Sequence, residues 1–229
     1  MEEQTTHSKK ALTTTIIVVL LALGYAVLRY NIARHVPYSH FPLYIANKSF
    51  ALSATILIGF SFLLGPLAHF WPKTFVQKLD LRKYFGTYGF ALAALHAVMS
   101  LVLLSSKYYP RLFALDGKMT AIGESTMLFG IVAFVVFFAV SLASLPSVAQ
   151  SMQPGEWQRT QRLGYLAYFL VLLHVALMGW GGWWKADSWK FGLVSISLIS
   201  SLFIVFVLIM RALVMKRQDV PHNSLEKQL

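Results

Sequence analysis

Of seven histidines in the chain, two lie where an ionisable side chain is most costly. His96 sits in the run YFGTYGFALAALHAVMSLVLL and His174 in RLGYLAYFLVLLHVALMGW, each among aliphatic and aromatic residues. The other five have plain positions: His7 and His222 in polar tails, His35 and His40 in one loop, His69 near the end of an apolar run. Each deep histidine follows its basic boundary, Arg82 and Lys83 or Arg162, by about a dozen residues, which is about 18–21 Å along a helix. Two imidazoles at one depth on parallel helices can ligate both axial positions of a haem iron, and an apolar pocket without sulfur suits haem b. Two other readings stand beside it. Each imidazole can instead hydrogen-bond a neighbouring polar group, or the pair can belong to a zinc site, which would want a third or fourth protein ligand at the same level.

These histidines stand out because so little else is charged. Of 229 residues, 57% are hydrophobic, 13% are charged and none is cysteine. A soluble domain carries about 25% charge, so a chain at half that value has more apolar surface than one globular core can hide. It reads as a membrane protein. The missing thiols exclude iron–sulfur ligation, thiolate zinc, a cysteine nucleophile, covalent haem attachment and disulfides. The excess of 20 Lys+Arg over 9 Asp+Glu would suggest nucleic acid in a soluble protein. Here the cations lie between apolar runs, where they set topology, and no nucleic-acid partner is expected.

The elements that must hold the histidines follow from the apolar runs. A helix needs about 20 apolar residues to cross about 30 Å of hydrocarbon, and six segments meet that length: 12–30, 50–70, 84–105, 122–145, 161–183 and 190–213. The sequence therefore predicts an all-α integral membrane protein, a six-helix transmembrane bundle forming a single domain over 1–229. The first run follows Lys9 and Lys10 but is too long for a signal peptide and leads to Arg29 and Arg34 without a cleavage pattern, so it reads as a retained span. Six crossings put both termini on one side. With that side inward, twelve Lys and Arg fall inside and eight outside, which predicts cytoplasmic termini, residues 1–11 and a tail at 214–229.

A second haem, stacked toward the inner leaflet, would need another histidine about four turns away on each ligand helix. Those positions hold Arg82 or Lys83 and Thr160 or Gln161, so the inner leaflet needs some other redox group. Arg82, Lys83, Gln161 and Arg162 are cationic and amide groups suited to the phosphates and ring edges of a dinucleotide or flavin. They equally suit plain positive-inside topology.

The run SLASLPSVAQSM at 141–152, followed by EWQRTQRLGYLAYFLVLLHVALMGW at 156–180, resembles the STEAP metalloreductases, the six-transmembrane epithelial antigen of the prostate family. Leu81, Arg82 and Lys83 with Gly86 and then His96 are similar to that family's third span. FPLYIANKSFAL at 41–52 is similar to its entry into the second span, and Glu124 with Phe129 and Gly130 to the start of its fourth. The motifs occur in order over about residues 35–185.

The resemblance implies a ferric reductase-like haem domain over about 35–215, with one haem b between His96 and His174 and a flavin, FAD or another, entering from the cytoplasmic side. On the matching motifs, Ser147 of the SLPSV turn and Trp157 of the next loop join Arg82, Lys83, Gln161 and Arg162 as flavin-binding candidates. The loop before the fifth span is about one residue shorter than the family pattern, so Gln161 or its neighbour takes the flavin position. The resemblance also implies an oxidoreductase, a metalloreductase acting on ferric or cupric chelates outside the cell, and a homotrimer. Family members usually carry a cytosolic reductase domain ahead of the first span. About ten residues stand there in this sequence, so the expected electron source is a separate cytosolic flavin reductase or free reduced flavin.

Metal chelates are commonly anionic, which makes Arg34, His35, Lys48, Lys107, Arg111 and Lys118 of the outer loops candidates to gather substrate. Phe85, Phe90 and Leu92, inward of His96, are candidates to bridge flavin and haem, and Met99 to line the haem pocket; ordinary packing accounts for them as well. Two rival functions use the same spans. One is a haem-bearing membrane subunit that feeds a periplasmic reductase such as a methionine sulfoxide reductase; the other is a cofactor-free transporter or structural protein. The expected location is the cell membrane, multi-pass, of the bacterial inner-membrane type.

Overall fold

The computed structural model describes residues 2–218; His222, Lys227 and the rest of the tail from 219 lie outside the described residues. The first helix, α1 (Glu2–Ala26), runs on through a π-helical stretch at Val27–Ile32. The chain then turns through Tyr38–His40 and the π-helical Phe41–Ile45 into α2 (Ala46–Phe70). The short α3 (Pro72–Phe75) leads to α4 (Leu81–Val102), and α5 (Ala121–Ala143), α6 (Pro146–Ser151), α7 (Pro154–Trp183) and α8 (Ile196–Gln218) follow.

Among the described residues six helical segments are long and apolar enough to cross a membrane: Thr6–Ile32, Tyr38–Phe70, Leu81–Val102, Ala121–Ala143, Pro154–Trp183 and Lys190–Arg217. They correspond to the six spans expected from the sequence, and the difference lies at their ends. Hydropathy stops where polar residues begin, whereas a helix continues as long as its terminal N–H groups find acceptors. At the start of α7 the Glu156 carboxylate accepts from the Gln153 backbone N–H at 3.3 Å, and Pro154 fills the first turn. At the start of α5 the Thr120 hydroxyl accepts from the Gly123 N–H at 3.1 Å, so that helix begins where the apolar run does.

The central element is α2. Of its most apolar window 61% is buried, against 11% for α4, so α2 is wrapped by protein while α4 keeps a face for lipid. It packs closely on α1, α4 and α8, while α5 pairs with α7 and α8 closes against α7. The two histidine-bearing helices, α4 and α7, are not among the close pairs. One core cluster joins α2, α5, α7 and α8 through Ile58, Phe62, Phe137, Tyr168, Ile204 and Val207. Within it the fully buried Tyr168 hydroxyl donates to the Thr55 carbonyl at 2.9 Å. Small residues set the helix spacing. A Cβ at Gly89 would lie 2.9 Å from the Ile58 backbone nitrogen, so α4 reaches α2 only because that side chain is missing. Leu21, Val98, Leu128, Val135 and Leu202 are exposed, as lipid-facing side chains must be.

Candidate functional site

His96 of α4 and His174 of α7 open into one small cavity walled by Leu104, Leu112, Met127 and Met178, with Ser100, Tyr109 and Thr126 as its polar groups. Both rings are anchored through the same nitrogen. His96 Nδ1 lies 2.7 Å from Asn47 Oδ1. The amide nitrogen of Asn47 in turn donates to Ser100 Oγ at 3.0 Å and to Tyr109 Oη at 3.3 Å. His174 Nδ1 lies 2.8 Å from the Thr126 backbone carbonyl. A carbonyl oxygen only accepts, so Nδ1 carries the proton in each ring and Nε2 is left with its lone pair, the form a metal binds. Gly130 leaves room for the second ring: a Cβ there would stand 2.8 Å from His174 Nδ1.

The enclosed space measures about 40 Å³. That is far below a porphyrin's volume, so the test of fit rests on the donor set. Two anchored neutral imidazoles with apolar walls fit a haem iron. A structural zinc site would want more ligands, and among the described residues no three of His, Cys, Asp and Glu gather. Met99 is not on the cavity wall; Met127 and Met178 are.

A larger cavity of about 750 Å³ lies toward the termini. Arg82, Lys83, Trp157, Gln161 and Arg162 all line it, from α4 and α7. Ser147 does not; it is exposed on α6, and Ser144 lines the cavity in its place. Gln161 Nε2 donates to Ser144 Oγ at 3.0 Å, and Trp157 Nε1 to the Ala143 carbonyl at 3.2 Å. Arg82 is braced on α2: its Nε donates to the Ser61 carbonyl at 3.0 Å, and Ser61 Oγ donates back to the Arg82 carbonyl at 2.8 Å. Phe62, Phe90, Phe137 and Tyr165 form an aromatic wall, in which Tyr165 stacks on Phe62 with ring centroids 4.5 Å apart. Arg211 of α8 also lines the cavity, its guanidinium 5.2 Å from the Tyr165 ring centroid. The sequence reading missed Arg211, which it counted only as a topology cation, and His7, which it left in a solvated tail. The cavity thus combines a strongly basic rim with flat apolar faces.

Aromatic rings extend from the larger cavity toward the His174 side of α5. Phe90 lines the larger one and stacks on Phe134 at 5.6 Å and 22°. Phe134 lies one turn from Gly130 on α5, and Gly130 abuts the His174 ring. Phe85 faces elsewhere, buried against Phe60 at 5.9 Å, and Leu92 packs into the same cluster.

The outer cations do not form one ring. Lys48 Nζ sits over Tyr44 at 4.4 Å and Tyr30 at 5.0 Å. Tyr44 meets Tyr108 at 5.7 Å, and Lys107 lies over Tyr108 at 5.5 Å, so two of the six candidates share one aromatic cluster. Arg111 turns toward Gly181 and Gly182 at the end of α7. Lys118 pairs with Asp116 at 3.8 Å on an exposed tip, and Arg34 and His35 are exposed, the latter with a positive φ of 53°.

A six-span bundle carrying paired deep histidines above a basic cavity defines a class of membrane redox proteins. The family model described as ferric reductase like transmembrane component matches residues 50–172, over half of the chain, and the chain belongs to that family. Among curated proteins it is similar to Metalloreductase STEAP2 of Mus musculus, 24% identical over 211 residues that cover 76% of this chain and 43% of the relative. It is likewise similar to Metalloreductase STEAP2 of Homo sapiens, 25% identical with the same coverage. The chain spans less than half the length of these relatives. The motif resemblance over 35–185 and the comparison covering 76% of the chain thus point to the same family.

Proposed function

We propose that this chain carries single electrons across the cell membrane, from a reduced flavin at the cytoplasmic face through one haem b held by His96 and His174 to a ferric or cupric chelate outside. The supporting observation is the stacking of two chemically distinct cavities on the same two helices, α4 and α7. One is basic and aromatic and is lined by Arg82, Lys83 and Gln161; the other is apolar and is lined by two anchored imidazoles. When bound, the flavin would supply electrons that leave singly, and the haem a one-electron centre.

The chain's own residues do the rest. His96 and His174 would hold the haem iron, while Asn47 and the Thr126 carbonyl keep each Nδ1 proton in place. Arg82, Lys83 and Arg162 offer charge to phosphate, Gln161 offers an amide to a ring edge, and Trp157 and Tyr165 offer flat faces. Phe90 and Phe134 keep water out of the space between the cavities. Lys48 and Lys107 place positive charge beside the aromatic cluster on the far side, where an anionic chelate would arrive. The excess of inner Lys and Arg supports this orientation of a multi-pass membrane protein.

The test is stopped-flow mixing of the reduced, haem-loaded protein with ferric and cupric chelates. Rapid reoxidation is expected. If the haem stays reduced with every chelate but is oxidised by a periplasmic reductase, the chain is instead the membrane subunit of such an enzyme.

A further inference from the structure

We infer that His7 is a phosphate-binding residue of the inner cavity, contributed by the helix ahead of the first membrane crossing; this rests on the flavin assignment above. Because α1 is continuous from Glu2, His7 and Ala11 lie one turn apart on the same face. Ala11 is fully buried in a cluster with Leu64 and Phe85, against Leu79, Leu81 and Tyr84. That contact presses this face of α1 onto the segment that opens α4. His7, one turn further out on that face, lines the same cavity as Asp80 and Lys83.

Its Nδ1 is buried there without a hydrogen-bond partner among the described residues. A buried ring nitrogen without a partner is costly, and in a cavity wall it is free to bond a guest. The surrounding charges say which. Among the described residues Arg82, Lys83, Arg162 and Arg211 line the same space, against the one acid Asp80, so an anion is the complementary guest. A flavin whose ring packed on the aromatic residues would offer its phosphate to these cations. The ligand class is thus a phosphorylated flavin, with His7 joining the cations on its phosphate.

The experiment titrates riboflavin, FMN and FAD into the full-length, haem-loaded protein in detergent and follows flavin fluorescence. Wild type is expected to bind FMN more tightly than riboflavin. His7→Ala should weaken FMN about tenfold, the size of one charge-assisted hydrogen bond, and leave riboflavin unchanged, while His7→Lys restores FMN binding. A loss confined to FAD also supports the proposal, with the second phosphate as the partner. Equal weakening of riboflavin and FMN, or no change in any of the three, overturns it. Failure of all three to bind wild type overturns the flavin assignment itself, which is distinguishable from a His7 variant that binds flavins like wild type.

Discussion

His96 Nδ1 donates to the side-chain oxygen of Asn47 across 2.7 Å, whereas the corresponding nitrogen of His174 is held by the main-chain carbonyl of Thr126. The two imidazoles are therefore anchored unequally. A backbone carbonyl survives any substitution, but an amide side chain does not. Asn47→Leu should lower haem retention about 10–100-fold, the usual effect of losing a ligand's hydrogen-bond partner. Asn47→Asp should keep the haem and lower its midpoint potential, because a carboxylate makes the imidazole more electron-rich. Redox titration of the purified variants reads both; unchanged retention and potential would show that Asn47 only packs.

Gly130 tests the other ligand. Adding one methyl places a carbon 2.8 Å from His174 Nδ1 and 3.0 Å from Cε1. Because the ring is fixed by the Thr126 carbonyl, it can yield only by giving up that bond. Gly130→Ala should therefore broaden or abolish a low-spin haem signal while the helical circular dichroism stays intact. Gly155→Ala, where a Cβ meets nothing, serves as the control and should resemble wild type.

The two deep histidines were legible in the sequence because imidazole is rare inside an apolar run, and no packing information was needed to see them. The cavity residues Arg82, Lys83, Gln161 and Arg162 were legible as a group because a helix end fixes which side of the membrane they occupy. Asn47 was visible only as part of an entry motif. Hydropathy began the second span at 50, but the helix starts earlier through Phe41–Ile45, which carries Asn47 to the level of His96. Thr126 acts through its backbone and leaves no signature in residue type. His7 was assigned to a solvated tail because apolar residues stop near 12, although α1 continues outward from there. The outer cations were grouped by charge alone, and side-chain reach then divided them: Lys48 and Lys107 go to tyrosines, Arg111 to the end of α7.

That division gives a prediction for substrate capture. Lys48→Met should raise the KM for anionic ferric chelates several-fold without altering the haem spectrum, and the effect should shrink as salt rises. Lys118→Ala should change neither, because that cation is already paired with Asp116 on an exposed tip. Initial rates against chelate concentration at two ionic strengths measure both.

For stability, the buried contact between α7 and α2 is the most direct target. Tyr168→Phe removes the hydroxyl that donates to the Thr55 carbonyl at 2.9 Å. The loss should be about 1 kcal/mol, the scale of one interhelical hydrogen bond in a membrane. Gly59→Ala should cost more, since its methyl would collide with the Tyr168 hydroxyl and the Phe203 ring together. Thermal unfolding in detergent should rank the two variants in that order.

The most direct measurement is the reduced-minus-oxidised absorption spectrum of protein purified from haem-replete cells, alongside His96→Ala and His174→Ala. Wild type should show a Soret band with the sharp α and β bands of a six-coordinate, low-spin haem, at one haem per chain, and each substitution alone should abolish them. A colourless wild type, or a low-spin spectrum that survives the loss of either histidine, would contradict ligation of a single haem by this pair.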